Sequence, residues 1–234
     1  MQHHEELTFK QKLLKSISDF LSSKWIFLII LIAGILVFAI GATVYNEIRS
    51  SINEKATVLI EEIEDSYTAV AGMESDDSGK SVKITEILKS LDDVIDNYST
   101  FYAAQRALFM KGDVLFQDKQ YDKASEIFNN FAEKYKKSYL APIALNNAAV
   151  CYENTDQNDK AIDTYKKIES VYASEYPDIS HVIFSLGRLY EKKEDYKTSA
   201  DYYNLITSKY TNSDWTNFAR DRIIYLKSAG KIDK

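Results

Sequence analysis

Histidine and cysteine, the side chains that most often act as metal ligands, nucleophiles or acid–base catalysts near neutral pH, are scarce in this sequence. The histidines are His3, His4 and His181, and Cys151 is the only cysteine. Adjacent residues such as His3 and His4 point apart on a helix and make a poor chelating pair. A metal or enzymatic site would depend on His181 alone, with no HExxH, GxSxG or paired-cysteine motif to support it. We therefore predict no catalytic residue, no metal site and no cofactor, and we expect Cys151 to be a buried, inert thiol.

The segment at residues 72–80, GMESDDSGK, contains parts of two ligand-binding loops and completes neither. A phosphate-binding loop would need glycine where Glu74 stands, five positions before Gly79, and would follow a strand. A calcium loop that starts at Glu74 would need a carboxylate at its twelfth position, which is Thr85. The sequence favours a solvated loop between two helices here.

An uncharged apolar run, WIFLIILIAGILVFAIGATVY, occupies residues 25–45. A helix of this length spans roughly 30 Å, which matches the hydrocarbon core of a bilayer. Trp25 and Tyr45 lie at its two ends, where amphipathic rings favour the headgroup boundary. A buried helix of a soluble domain is rarely apolar on every face, and a cleavable signal peptide has a shorter core and a small-residue cleavage site. The run is predicted to be an uncleaved transmembrane anchor.

Basic residues indicate the orientation of this anchor. Lysines at positions 10, 12, 15 and 24 precede it, whereas Arg49 and Lys55 follow it. By the positive-inside rule, the N-terminus stays in the cytoplasm and the rest of the chain lies across the membrane. The predicted parts are a cytoplasmic tail at residues 1–24 with an amphipathic helix from residue 5 to residue 23, the transmembrane helix at 25–45, a juxtamembrane helix and acidic loop at 46–80, and a C-terminal domain at 81–234.

The composition excludes some partners and favours one fold class. The formal net charge is −6, which argues against nucleic acid and against an anionic lipid surface as partners of the C-terminal domain. The chain has only two prolines but 17 tyrosines. Alternating Val/Thr patterns typical of strands are missing after the anchor. We predict an all-α domain.

From residue 81 onward, a pattern of large, small and aromatic residues recurs with a period of 37 to 38 residues. The three copies are Leu108, Gly112, Leu115, Tyr121, Ala124, Phe128, Phe131 and Tyr135; Leu145, Ala149, Tyr152, Asn158, Ala161, Tyr165, Ile168 and Tyr172; and Ile183, Gly187, Tyr190, Tyr196, Ser199, Tyr203, Ile206 and Tyr210. A half copy precedes them with Ile87, Leu91, Val94 and Tyr98. Each copy has the spacing of a helical hairpin, in which the small residue of the first helix lets the second helix approach closely. Because one hairpin cannot bury both of its faces, the copies are predicted to stack into a solenoid.

These positions resemble the tetratricopeptide repeat over residues 81–212. The resemblance implies an all-α fold: an N-terminal transmembrane helix, then a tetratricopeptide-repeat α-solenoid of three to four helical hairpins, closed by a C-terminal capping helix at residues 214–228. The repeats of this chain are longer than the usual 34 residues of that family.

In tetratricopeptide folds, the first helices of the hairpins line a groove that holds peptides or partner helices. The resemblance places thirteen residues of this chain in that groove, which we call the predicted groove: Arg106, Phe109, Asp113, Phe116, Ile143, Asn146, Asn147, Val150, Glu153, His181, Phe184, Arg188 and Glu191. Its phenylalanines would bind apolar segments of a partner, with Arg106 and Arg188 as hydrogen-bonding forks; alternatively, the phenylalanines only pack between repeats. No carboxylate clamp is expected, because Phe109 and Asp113 stand where a lysine and an asparagine would be needed.

The layout of a short lysine-bearing N-terminus, one anchor and slightly long repeats is similar to the YfgM-like ancillary subunits of the bacterial Sec translocon. This resemblance implies a non-catalytic scaffold in the bacterial inner (cytoplasmic) membrane, with the repeat domain in the periplasm. Its implied partners are translocon subunits, periplasmic chaperones or client polypeptides, and self-association is possible. The alternative function is an envelope scaffold for cell division or outer-membrane assembly.

Overall fold

The computed structural model of the chain describes residues 8–73 and 78–233, and all the regular secondary structure in these two ranges is α-helical. The helices are α1 (Phe9–Ala71), α2 (Ser78–Asn97), α3 (Tyr102–Gln117), α4 (Tyr121–Lys134), α5 (Leu140–Asn154), α6 (Asn158–Tyr172), α7 (Ile179–Lys192), α8 (Tyr196–Lys209) and α9 (Trp215–Ser228). His3 and His4 lie outside the described residues. The all-α prediction is confirmed.

The chain divides into two compact units, residues 1–55 and residues 56–234, with the boundary inside α1. The described part of the first unit consists of residues 9–55 of α1 and the residue before them, and includes the apolar run at 25–45. Its most apolar window has a mean hydropathy of 2.9 with no buried residue, and α1 is the one described helix long and apolar enough to cross a membrane. Residues 9–23 of the predicted amphipathic helix and the whole predicted anchor lie in this single helix, which begins at Phe9; residues 5–7 lie outside the described residues.

The second unit is a stack of helical hairpins, in which each helix buries one of its faces. Residues 56–71 of α1 share a buried apolar cluster with α2, which includes Ala56, Ile60, Ile87 and Leu91. The half copy in the sequence is therefore completed by a first helix that α1 supplies. The pairs α3/α4, α5/α6 and α7/α8 follow, and α9 packs against α7 and α8 as the predicted capping helix.

The connection between α1 and α2 is shorter than the loop predicted at residues 72–80. Helix α2 already begins at Ser78, and Lys80 donates a hydrogen bond of 2.8 Å from its Nζ to the carbonyl oxygen of Met73. A single glycine costs a helix only about 1 kcal/mol relative to alanine, so Gly79 does not prevent the first turn of α2. Residues 74–77, which include Glu74, lie outside the described residues.

The turn inside each of the three later hairpins contains a non-glycine residue with positive φ. These residues are Lys119, Asp156 and Glu194, with φ of 59°, 55° and 63°. The left-handed conformation brings Cβ too close to the following carbonyl oxygen, at a cost of roughly 1–2 kcal/mol. Aspartate tolerates this conformation better than lysine or glutamate.

We expect Lys119→Gly and Glu194→Gly each to raise the free energy of unfolding by about 0.5–1 kcal/mol, because glycine has no Cβ to clash. Urea unfolding of the full chain in detergent, followed by circular dichroism, measures the effect. Glu126→Gly in α4 and Asp201→Gly in α8 are the matched controls. Their free energy of unfolding should fall by about 1 kcal/mol, since these exposed residues lie inside helices. A loss of stability in all four variants would contradict the prediction.

Candidate functional site

The predicted groove residues all lie on first helices of hairpins, namely α3, α5 and α7. Arg188 is exposed and the other twelve are half-buried. Completely buried positions of the same helices, such as Leu108, Leu145 and Leu186, point into the core instead. The thirteen side chains thus share an accessible face of these helices. The contacts that each side chain already makes within the chain decide how it can bind a partner.

The three phenylalanines of the predicted groove pack on other aromatic rings. Phe109 meets Phe128 and Phe131 edge-on, with ring centroids 5.7 and 5.3 Å apart, and Phe116 lies 5.4 Å from the ring of Tyr121. These contacts are within one hairpin, where aromatic pairs of this geometry contribute about 0.5–1.5 kcal/mol beyond their buried area. The rings therefore stabilise the hairpin and leave part of their surface accessible.

Phe184 belongs to an aromatic cluster that continues onto α9. Its ring centroid is 4.9 Å from that of Trp215 and 6.3 Å from that of Phe218, and His181 lies 4.7 Å from Trp215. Phe218 is 56% exposed. From the sequence, Trp215 and Phe218 were expected only in the capping helix, although they follow His181 and Phe184 at an interval of 34 residues. This shift from the earlier period of 37 to 38 residues was the sequence signal that could have placed Trp215 and Phe218 beside His181 and Phe184.

The arginines of the predicted groove already form ion pairs within the chain. Arg106 donates from Nη2 to Glu64 Oε2 on α1 at 2.8 Å, and Arg188 donates from Nη2 to Glu153 Oε2 on α5. Both pairs join successive hairpins. A partner would have to compete with these carboxylates for the guanidinium groups.

Glu153 connects two hairpins, and Glu191 connects the last hairpin to α9, each by accepting hydrogen bonds from both sides. The buried hydroxyl of Tyr165 donates to Glu153 Oε1 at 2.9 Å, and Glu153 also accepts from Arg188 of the next hairpin. One repeat later, Tyr203 donates to Glu191 Oε2 at 3.0 Å, and Arg222 of α9 donates to the same carboxylate. Burial, and then the adjacent carboxylates, raise the pKa of both tyrosines. Each tyrosine, glutamate and arginine forms one connected unit.

A small cleft between α5 and α7 brings part of the predicted groove together. Its volume is about 250 Å³, and its lining consists of Val150, Glu153, Asn154, Tyr165, His181 and Arg188. The imidazole of His181 lies 3.8 Å from the carboxylate of Asp178, one turn earlier. In the described part of the chain, no group of three or more His, Cys, Asp or Glu side chains is placed to hold a metal ion.

Cys151 is buried, as expected, and burial raises its pKa to about 12, so the thiol stays protonated at neutral pH.

Asp113 is the carboxylate of the predicted groove without an ion pair among the described residues. It is half-buried on α3, and burial raises its pKa to about 6, from an ordinary value of 3.8. After burial, its charge also contributes to raising the pKa of Tyr67 on α1 and of Cys151 on α5. At neutral pH the folded protein therefore contains a carboxylate that is only partly exposed to water.

The folded-state pKa of Asp113 lies above its unfolded value, so ionisation of this group lowers the free energy of unfolding as the pH rises from about 4 through 6. Above that range the loss is at most about 3 kcal/mol. We expect Asp113→Asn to raise the free energy of unfolding by about 1–2 kcal/mol at pH 7.5 and by only a few tenths at pH 4. Urea unfolding at the two pH values tests this. Asp96→Asn, at an exposed position of α2, is the control without a pH-dependent gain. An equal effect of Asp113→Asn at both pH values would contradict the role of its charge.

Comparison with known proteins identifies relatives of the repeat unit. A family model described as a tetratricopeptide repeat-like domain matches residues 19–220. A tetratricopeptide repeat-containing protein of Treponema pallidum (strain Nichols) is 22% identical over 118 residues, which are 50% of this chain and 48% of that protein. The chain thus aligns with about half the length of this curated relative.

Two solved structures are partly similar to the chain. Nearly identical tetratricopeptide-like repeats from a protein of Podospora anserina described as a kinesin light chain give a TM-score of 0.53 at 10% identity, covering 75% of this chain and 87% of that one. MamA of Desulfovibrio magneticus RS-1 gives a TM-score of 0.45 at 19% identity, covering 58% of this chain and 71% of that one. At 10% identity, the likeness to the Podospora anserina repeats concerns the fold alone.

Proposed function

This chain belongs to the family of tetratricopeptide repeat-like domains, and from that premise we propose that it is a non-catalytic scaffold that binds other proteins at a bacterial inner membrane. The observation that carries this proposal is the combination, in one chain, of an unburied apolar helix at residues 25–45 and a stack of hairpins with a half-buried, aromatic and charged face. Anchoring restricts the repeat unit to the membrane surface, which raises its effective concentration for partners there.

The predicted groove suits a partner segment that is apolar with a basic residue. The accessible parts of Phe109, Phe116 and Phe184 offer apolar contacts, and Trp215 and Phe218 extend them onto α9. A lysine or arginine of the partner would pair with Asp113, whose carboxylate lacks an ion pair within the described chain. Ion pairing with a bound cation would lower the raised pKa of Asp113.

The layout of tail, anchor and repeats supports a location in the inner membrane with the repeat unit in the periplasm. We propose translocon subunits, periplasmic chaperones and their client polypeptides as the partners. The family match begins at residue 19 and so includes the apolar run, which supports the anchor as part of the same family layout.

Photo-cross-linking in cells tests the function. A photo-reactive residue placed at Asn147 or Phe218 is expected to capture translocon subunits or periplasmic chaperones, identified by mass spectrometry. The same residue at Asp163, exposed on α6, is the control and should capture far less. Division or outer-membrane assembly proteins without any translocon subunit would support the alternative scaffold, and equal capture at all three positions would argue against the predicted groove.

Protease treatment of spheroplasts tests the orientation. We expect the repeat unit to be degraded from outside, whereas a tag at the N-terminus stays protected until the membrane is dissolved. Protection of the repeat unit would place it in the cytoplasm and overturn the periplasmic assignment.

A further inference from the structure

A second surface, distinct from the predicted groove, lies between α2 and the part of α1 after residue 56. It is a groove of about 700 Å³, which we call the α1–α2 groove. Its apolar lining is Leu59, Ile63, Ala69, Val70, Ile87, Val94 and Tyr98, and its polar lining is Glu62, Ser66, Lys83, Glu86, Ser90, Asp93 and Asn97. It exceeds the cleft between α5 and α7 almost threefold in volume.

The position of the α1–α2 groove in the stack explains why it is open. Each later hairpin packs against the hairpin before it, through the helix pairs α2/α3, α4/α5 and α6/α7, whereas the α1/α2 hairpin is the first of the described second unit. In the first hairpin, α2 packs against α3, and within the described part of the second unit no helix lies over the α1–α2 groove. Leu59 remains 37% exposed there. The groove therefore presents an apolar face of the kind that a neighbouring helix covers elsewhere in the stack.

The dimensions of the α1–α2 groove fit a helix of three to four turns. Its lining extends from Leu59 to Val70 along α1 and from Lys83 to Tyr98 along α2. These stretches correspond to about 17 and 22 Å of helix. An open cleft between two helices is the usual receptor for the apolar face of a third helix.

The charged residues of the α1–α2 groove indicate which charge the polar face of such a helix should carry. Glu62, Glu86 and Asp93 are exposed and form no ion pair among the described residues, and Lys83 is the single basic residue of the lining. By contrast, the side chains of Ser66, Ser90 and Asn97 donate to backbone carbonyls of their own helices. The polar wall is thus satisfied locally, whereas its three carboxylates are available to a cationic partner.

We propose that the α1–α2 groove binds an amphipathic helix of another protein, with lysine or arginine on the polar face of that helix. The apolar lining receives its hydrophobic face, and Glu62, Glu86 and Asp93 pair with its basic residues. A second copy of this chain is disfavoured, because a two-fold pairing through this surface would bring the same three carboxylates against each other.

Site-specific photo-cross-linking of the full chain in cells tests the proposal. A photo-reactive residue at Ser66 or Ser90 is expected to capture a segment of another protein, and mass spectrometry of the cross-linked peptide should reveal helical apolar spacing with lysine or arginine between the apolar positions. Ala69→Trp, which fills the groove from an exposed position, should reduce the yield at least about tenfold. Circular dichroism establishes that the variant remains folded.

A pair of matched charge variants separates specific binding from general electrostatics. Glu62→Lys combined with Glu86→Lys and Asp93→Lys should lower the yield at Ser66 and Ser90 at least about tenfold. The control combines Glu126→Lys, Asp163→Lys and Asp201→Lys, which change the net charge equally at exposed positions of α4, α6 and α8, and should leave the yield unchanged.

Capture of a second copy, of an acidic or extended segment, or of nothing would overturn the proposal, as would equal losses in the two charge variants. The test is independent of the proposed scaffold function. Cross-links from Asn147 and Phe218 report on the predicted groove, so failure of one surface leaves the result for the other intact.

Discussion

Gly187→Val is expected to lower the free energy of unfolding by about 3 kcal/mol. A Cβ at Gly187 would lie 2.6 Å from Cε1 of Tyr203, and Tyr203 is completely buried between the helices of its hairpin. Neither the ring nor the backbone of α7 has free space to move into, so the two extra methyl groups of valine force the helices apart. Urea unfolding of the full chain in detergent provides the measurement.

The α5/α6 hairpin shows how well an alanine is tolerated at the equivalent position. Ala149 occupies the position equivalent to Gly187 and packs in the core with Tyr165, so one methyl group is compatible with this fold. We expect Gly187→Ala to cost only about 1 kcal/mol, because the gain in helix propensity offsets part of the crowding. Gly72→Val, where the nearest atom to an added Cβ is 3.7 Å away, is the control. Equal losses for Gly72→Val and Gly187→Val would contradict the packing argument.

Glu191→Ala is expected to destabilise the repeat unit by about 2–3 kcal/mol. The substitution removes the acceptor of the buried Tyr203 hydroxyl and of the Arg222 guanidinium at once. An unpaired buried hydroxyl costs about 1–3 kcal/mol, and the half-exposed arginine loses its charged partner as well. Unfolding in urea, monitored by circular dichroism, gives the difference from the parent chain.

Glu191→Gln distinguishes the hydrogen bonds from the charge. Glutamine keeps an acceptor oxygen for Tyr203 and should retain more than half of the lost stability, since the ion pair to Arg222 is partly solvated and contributes less. Glu126→Ala, an exposed glutamate on α4, is the control and should change stability by less than about 0.5 kcal/mol. If Glu191→Gln were as damaging as Glu191→Ala, the negative charge rather than the hydrogen bonds would hold the hairpins together.

The repeated unit of tyrosine, glutamate and arginine has no equivalent one repeat earlier, where the α3/α4 hairpin meets the α5/α6 hairpin. Phe116 and Phe128 occupy the positions of Glu153 and Tyr165, and Phe116 packs edge-on against Tyr121. Substitutions at Glu153 or Glu191 should therefore weaken the C-terminal hairpins selectively, because a stack of repeats depends on contacts between neighbours.

The sequence by itself determined the features that depend on local spacing. The period of the aromatic and small residues predicted the helical hairpins and the close approach at Gly112 and Gly187. The resemblance to the tetratricopeptide repeat added the capping helix, and the uncharged run at residues 25–45 predicted a helix that is apolar on all faces. These patterns lie within one or two helices, where 3.6-residue periodicity directly decides which side chains share a face.

Only the tertiary structure decided which partners these faces meet. Arg188 and Glu153 are 35 residues apart, and their pairing depends on how α7 stacks on α5, so the sequence analysis assigned Arg188 to a partner protein. In the same way, no periodicity showed that the end of α1 supplies the first helix of the first hairpin and leaves a groove beside α2. Spacing along a helix predicts the direction of a side chain, but the atom that it reaches is set by the packing of helices that are distant in sequence.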